Sequence, residues 1–171
     1  MKNTLCIFIM LFLLYPVTRG QEMNRTIIPE GGTTPILIGS CNRDAFTMPA
    51  FQSWFETGYE SYLPEPSLMA RLAEYDLQNL SFTMVLGTWC PDSRREVPRF
   101  YRILDDLGIS DDQVKMIGLD RSKSVPGSDI SELKVYFVPT FIVYRHSNEL
   151  GRIIEMPEKS LEEDLLELLN E

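Results

Sequence analysis

Apolar positions alternate along this chain between helical spacing and unbroken runs, and the switches between the two mark its elements. From Ala50, Phe51, Trp54, Phe55, Tyr59 and Tyr62 recur every three or four residues and put five aromatics on one helical face. Gly58 weakens that helix and makes a break there possible. Pro64-Glu65-Pro66 separates it from a second helix with Ser67 as N-cap and Leu68, Leu72 and Tyr75 on one face, ending near Gln78-Asn79. Phe82–Leu86 is apolar throughout, the pattern of a strand buried on both faces. A long helix starts at Cys90, with Val97, Phe100, Tyr101, Leu104 and Leu107 as its apolar stripe. Arg94, Arg95, Glu96, Arg99, Arg102, Asp105 and Asp106 occupy its other faces, and Gly108 stops it. Val114–Leu119 is the next strand. Phe141–Tyr144 and Leu150–Ile154 are strands joined through Arg145-His146-Ser147-Asn148, a hairpin signature that leaves His146 at an exposed turn. Ser160-Leu161-Glu162-Glu163 is a capping box, followed by a helix buried through Leu161, Leu165, Leu168 and Leu169.

The order strand, helix, strand, hairpin, helix, with one parallel crossover, predicts an α/β fold: a central mixed sheet flanked by helices. Residues 80–171 form the expected domain body, and 36–79 an N-terminal helical extension packed on it. Within that extension Ile36–Gly39 is a short strand and Asn42 or Asp44 a helix cap. Gln21–Pro35 is polar, with Pro29, Pro35 and Gly31-Gly32, and reads as a flexible lead-in. Arg121–Ser131, with Pro126-Gly127, reads as a solvated loop to which no function is assigned, and Ser131–Val135 as a helical turn.

Charge and targeting narrow the class. Met1–Gly20 has Lys2, an apolar run Leu5–Tyr15 and a small-residue end at Thr18-Arg19-Gly20, the pattern of a secretory signal. The run is short for a membrane span, so membrane attachment is expected only if that segment stays uncleaved. The formal net charge of −9 argues against nucleic acid and anionic membranes as partners. Beyond Cys6 in the signal segment, two cysteines remain, Cys41 and Cys90. With a single histidine and no Cys/His cluster, neither a metal site nor a cofactor is expected.

Cys90 is the residue with chemistry. It follows Gly87-Thr88-Trp89 at the end of the Phe82–Leu86 strand, and Pro91 suits the first helical turn after it. A cysteine at a helix N-terminus meets positive potential, which favours the nucleophilic thiolate. Arg94 and Arg95 favour it further, Asp92 opposes it, and Ser93 is placed to donate a hydrogen bond to the sulfur.

Trp89-Cys90-Pro91-Asp92-Ser93 resembles the Trp-Cys-x-x-Cys motif of the thioredoxin superfamily. Pro98, eight residues past Cys90, falls where that family carries a helix-kinking proline. Val138-Pro139-Thr140 before the strand Phe141–Tyr144 looks like its cis-proline loop. The resemblance spans about Leu80 to Leu169. It implies a thioredoxin-like fold, Cys90 and Ser93 as catalytic positions, and Trp89, Pro91, Asp92, Val138, Pro139 and Thr140 as supporting or substrate-binding ones. Together with the signal pattern of Met1–Gly20, it makes an exported protein, periplasmic or secreted, of a Gram-negative bacterium the expectation. Protein disulfides or mixed disulfides of small thiols would be its partners. Two departures change the chemistry. Ser93 replaces the second cysteine, so the chain is a monothiol. Met84 stands where thioredoxins keep a buried Asp that manages protons.

A lone cysteine can attack a disulfide, but an outside thiol must release the product. Isomerase-like exchange and mixed-disulfide reduction both fit that limit. Cys41 is either a small buried apolar residue or a distal resolving thiol for Cys90, and the second role requires Cα atoms within about 7 Å. The alternative to an enzyme is a non-catalytic binding module that uses the cis-proline groove and the Phe51/Trp54/Phe55 face.

Overall fold

The computed structural model describes residues 22–170, and the expected signal segment lies outside the described residues. In chain order the elements are β1 (Thr26–Ile27), β2 (Ile36–Leu37), β3 (Gly39–Cys41), α1 (Gln52–Ser61), α2 (Pro66–Leu72), β4 (Leu80–Leu86), α3 (Pro91–Asp106), β5 (Val114–Gly118), β6 (Thr140–Arg145), β7 (Asn148–Ile154) and α4 (Leu161–Leu169). Five strands form one mixed sheet in the order β3-β5-β4-β6-β7, and β1 and β2 make a separate antiparallel pair. Only β4 and β5 run parallel, joined through α3. The fold is therefore α/β with a mixed sheet, as the periodicity predicts.

The sheet's two faces are covered differently. Leu80, Phe82, Met84 and Leu86 of β4 share one apolar cluster with Phe55 of α1, Leu72 of α2, Val97, Phe100 and Leu104 of α3, and Leu161, Leu165 and Leu169 of α4. All four helices thus bury their stripes on one side, whereas the sequence reading placed helices around the sheet without saying which face they cover. Val85 and Ile117 point the other way, into a second cluster with Ile36, Ile38, Leu119, Val125 and Val138. The cover on that side is irregular: β2 and the 119–139 connection, whose regular structure is one turn of 3-10 helix at Ser131–Leu133. A connection rich in Ser, Asp, Pro and Gly has no helical stripe to offer.

The boundary expected at residue 80 does not survive. β3 pairs antiparallel with β5, Cys41 opposite Met116, so the chain before residue 80 supplies an edge strand of the sheet. The lead-in is structured in part: Thr26 pairs with Leu37 and Ile27 with Ile36. Strands of two or three residues are too short to show a period; the open edge of β5 takes β3, while β1 and β2 pair with each other. At α2 the expected cap also shifts. Glu65 is the N-cap, its carboxylate accepting from Leu68 N, with Pro66 in the first turn.

The aromatic face of α1 is core. Phe55 stacks on Phe46 at 4.3 Å between ring centroids. The Tyr59 hydroxyl donates to Asp105 of α3 (2.5 Å) and the Tyr62 hydroxyl to the buried Glu162 of α4 (2.9 Å). A binding surface on Phe51, Trp54 and Phe55 is thereby ruled out as first conceived, because Phe51 and Phe55 are buried and Trp54 packs against the same cluster.

Gly58 does not break α1. It lets α1 lie against α3: a Cβ there would sit 2.6 Å from Pro98 Cγ. Pro98, inside α3, costs that helix about 3 kcal/mol, which burial of its apolar stripe outweighs at about 1.5–3 kcal/mol per large side chain. Gly58→Ala would gain about 1 kcal/mol of helix propensity yet force the two helices apart, which costs about 1–3 kcal/mol. A net loss of stability is expected, read as a lower urea midpoint at unchanged slope.

Candidate functional site

The turn between β4 and α3 is held at every residue. Gly87 N–H donates to Ser93 Oγ (3.1 Å), and Gly87 O accepts from Cys90 N (2.8 Å). Thr88, fully buried, accepts from Leu37 N on its Oγ1 (3.1 Å), while its carbonyl accepts from Arg94 Nε (2.6 Å). Trp89 donates its indole N–H to Leu119 O (2.8 Å) and folds back so closely that a Cβ on Gly87 would lie 2.6 Å from its ring. The guanidinium of Arg121 lies over that ring at 5.2 Å.

Cys90 is the N-cap residue of α3, and Pro91 opens the first turn. Its Sγ donates to Val138 O (3.2 Å). The Val138-Pro139 peptide is cis. Thr140 Oγ1 donates to Phe137 O (2.8 Å) and Pro139 O accepts from Glu155 N (2.7 Å), so both sides of this loop are braced. Tyr136 and Phe137, just before it, are exposed large side chains at 70% and 48%. The structure thus brings Trp89, Cys90, Val138, Pro139 and Thr140 together from two segments about fifty residues apart in sequence.

Three expectations change here. Ser93 is fully buried, and its Oγ accepts from Gly87 N; its observed part is to anchor the turn, not to face a substrate. Asp92 is paired with Arg95 (2.8 Å), which takes up much of its charge. Arg94 turns back to Thr88 O. The third change is Cys41. It lies level with Met116 and Met84, two strand spacings from β4, roughly 10 Å sideways. Its side chain joins the helix-side cluster while Cys90 joins the opposite one. The two sulfurs are on different faces of the sheet, well outside disulfide reach. Both cysteines are free. Cys41 Sγ donates to Gly39 O (3.2 Å), and burial pushes its thiol up to about 11. It is a structural residue.

Thr88, Leu119 and Arg121 belong to the site without a signal in the sequence. Thr88 and Leu119 act through single hydrogen bonds from distant segments, and Arg121 sits in a polar loop with no period. His146 is exposed at the β6–β7 turn, as expected. Among the described residues no three His, Cys, Asp or Glu side chains form a group that would hold a metal ion, and no helix is long and apolar enough to cross a membrane.

No protein-family model matches the chain, and no curated protein matches it. Solved structures do. A Pseudomonas aeruginosa protein of unknown function aligns at 18% identity with a TM-score of 0.52, over 74% of this chain and 77% of that one. An HIV epitope-scaffold aligns at 17% identity with a TM-score of 0.51, over 77% and 83%. At such identities the likeness is one of fold.

Ser93→Ala leaves Gly87 N–H buried without an acceptor, so a loss of about 1–3 kcal/mol is expected in denaturant unfolding. Cys41 gives a pH signature. Its folded pKa of about 11 lies above the reference 9.0, so its contribution is complete below pH about 9 and disappears as pH rises towards 11. Tyr101 and Tyr62, also pushed up chiefly by burial, act in the same direction at higher pH. Cys41→Val should flatten the fall in melting temperature between pH 9 and 11; a fall unchanged in the variant assigns it to the tyrosines.

Proposed function

We propose that this protein is an exported, thioredoxin-like thiol–disulfide exchange protein that works through Cys90 alone. The observation that carries the reading is the meeting of Cys90, at the start of α3, with Val138 O of the cis Val138-Pro139 peptide at 3.2 Å. Two segments far apart in sequence converge on one sulfur, and the turn beneath it is hydrogen-bonded throughout. Such bracing holds a nucleophile in one orientation, which lowers the entropic cost of attack.

The chemistry balances without a cofactor. Deprotonated Cys90 attacks one sulfur of a substrate disulfide. The substrate S–S bond breaks, a Cys90–substrate S–S bond forms, and the other half leaves as thiolate. The proton of Cys90 goes to solvent or to the leaving sulfur. With Cys41 on the far face and Ser93 turned to Gly87, no group among the described residues reverses the step internally. A second thiol, from the substrate or from a small molecule, attacks the mixed disulfide and frees Cys90. The first case is isomerisation, the second mixed-disulfide reduction. Val138 O meets the sulfur, and the exposed Tyr136 and Phe137, just before the cis peptide in sequence, offer apolar surface.

A non-catalytic binding module remains the alternative, with the exposed Tyr136–Phe137 pair in its favour. The two readings separate on Cys90. Incubated with bis(2-hydroxyethyl) disulfide, the folded protein should take one adduct, on Cys90, which added thiol removes; Cys90→Ala should take none. Adduct formation only after denaturation would sink the exchange reading. Ser93→Cys adds a second thiol one turn into α3, and the Cys90 adduct should then no longer accumulate.

A further inference from the structure

A cavity of about 360 Å³ opens beside Trp89, and the exchange reading does not account for it. It is lined by Trp89, Ile36, Arg94, Arg121 and the segment Pro29–Thr34 that links β1 to β2. The lining owes its position to the braced turn. Arg94 is tethered through Nε to Thr88 O, and Arg121 rests on the Trp89 ring. Leu37 N, bonded to Thr88 Oγ1, fixes the strand that carries the Pro29–Thr34 segment.

The charge of this cavity is out of keeping with the molecule. Acids outnumber bases 25 to 16 in the chain. Arg43, Arg95, Arg99, Arg102 and Arg152 each pair with a carboxylate. Arg94 and Arg121 pair with none among the described residues, which is equally true of Arg25, Arg71 and Arg145, but Arg94 and Arg121 share one cavity, which Glu30 also lines. Two unpaired guanidiniums on one small concavity, with the Thr33 and Thr34 hydroxyls beside them, suit a carboxylate. Two lining residues link the cavity to the nucleophile: Trp89 precedes Cys90 in sequence, and Ile36 packs in the same apolar cluster as Cys90.

We propose that this cavity receives a carboxylate of the substrate, so that Cys90 selects disulfides of small acidic thiols. The inference rests on the exchange reading and names its substrate class. The cavity's volume, at the lower end of small-molecule sites, favours a low-molecular-mass thiol over a protein surface. The carboxylate binds Arg121 and the free edge of Arg94, while the thiol half to which it belongs is joined to Cys90. The leaving half departs as thiolate. The net acidity of the chain opposes this preference, so any selection for anions is local.

Three disulfides of similar size test it: 3,3′-dithiodipropionate, bis(2-hydroxyethyl) disulfide and cystamine, which are anionic, neutral and cationic. The rate of Cys90 adduct formation is measured for each and divided by its rate with free 2-mercaptoethanol, which removes intrinsic reactivity. At salt of about 0.1 M, where long-range fields are screened, the anionic probe should exceed the neutral one about tenfold, as expected for a charge-assisted contact. Within Arg121→Gln, the anionic probe should lose most of its advantage over the neutral one, and Arg121→Lys should restore part of it. Equal normalised rates, or a preference indifferent to Arg121→Gln, overturn the proposal. Glutarate, which has carboxylates and no sulfur, keeps the subsite testable if Cys90 reacts with nothing. Titrated into Cys90→Ala, it should perturb Trp89 fluorescence, and a Trp89→Phe control separates that signal from Trp54. Binding lost with Arg121→Gln supports the subsite even if exchange fails; no binding overturns it.

Discussion

The hydrogen bond from Gly87 N–H to the buried Ser93 hydroxyl holds the geometry on which the site depends. β4 ends at Leu86 with its chain still inside the protein, and every backbone group there needs a partner. Ser93, one turn into α3, supplies one, and Gly87 O takes the Cys90 N–H in return. The strand is thus tied to the helix it feeds, and Cys90 is left at the junction. Thr88 and Trp89 between them bond to Leu37 and Leu119, so the same turn gathers β2 and the end of β5.

Function and stability separate along the two faces of the sheet. The helix face is a thick apolar layer, with Phe46, Phe55, Phe100 and Phe141 in contact as rings and the buried Glu162 satisfied by Tyr62 and Glu65. The opposite face has a thinner cover, made by β2 and the 119–139 connection. There the protein carries its nucleophile, its cis peptide, its exposed Tyr136 and Phe137, and the arginine-lined cavity. A segment without helical structure can present several backbone and side-chain groups to one point, which a helix, with its backbone bonded internally, does less readily.

The two cysteines are kept apart by this division. Cys41 is sealed into the helix side with its thiol protonated by burial, and the sheet lies between it and Cys90. Arg94 and Arg121, which line the cavity beside Trp89, are held by Thr88 O and by the Trp89 ring, so their places depend on the same turn that carries Cys90.

Elements long enough to show a period were legible in the sequence. The stripe of α3, the apolar run of β4, the β6–β7 hairpin with His146 at its turn and the capped α4 all follow from local spacing, and so does Cys90 at a strand–helix junction. The bond between Cys90 and Val138 was legible only as two separate motifs. Tertiary structure alone decided the rest. The short strands β1, β2 and β3 had no period to read: β1 and β2 pair with each other, and β3 takes the open edge of β5. The parts played by Ser93, Thr88 and Arg121 depended on single hydrogen bonds or ring contacts. The separation of Cys41 from Cys90 depended on which side of a strand each faces. A sequence records the spacing of apolar residues, which local geometry turns into helices and strands. It does not record which buried N–H a hydroxyl will meet, and at Gly87 and Ser93 that meeting determines the site.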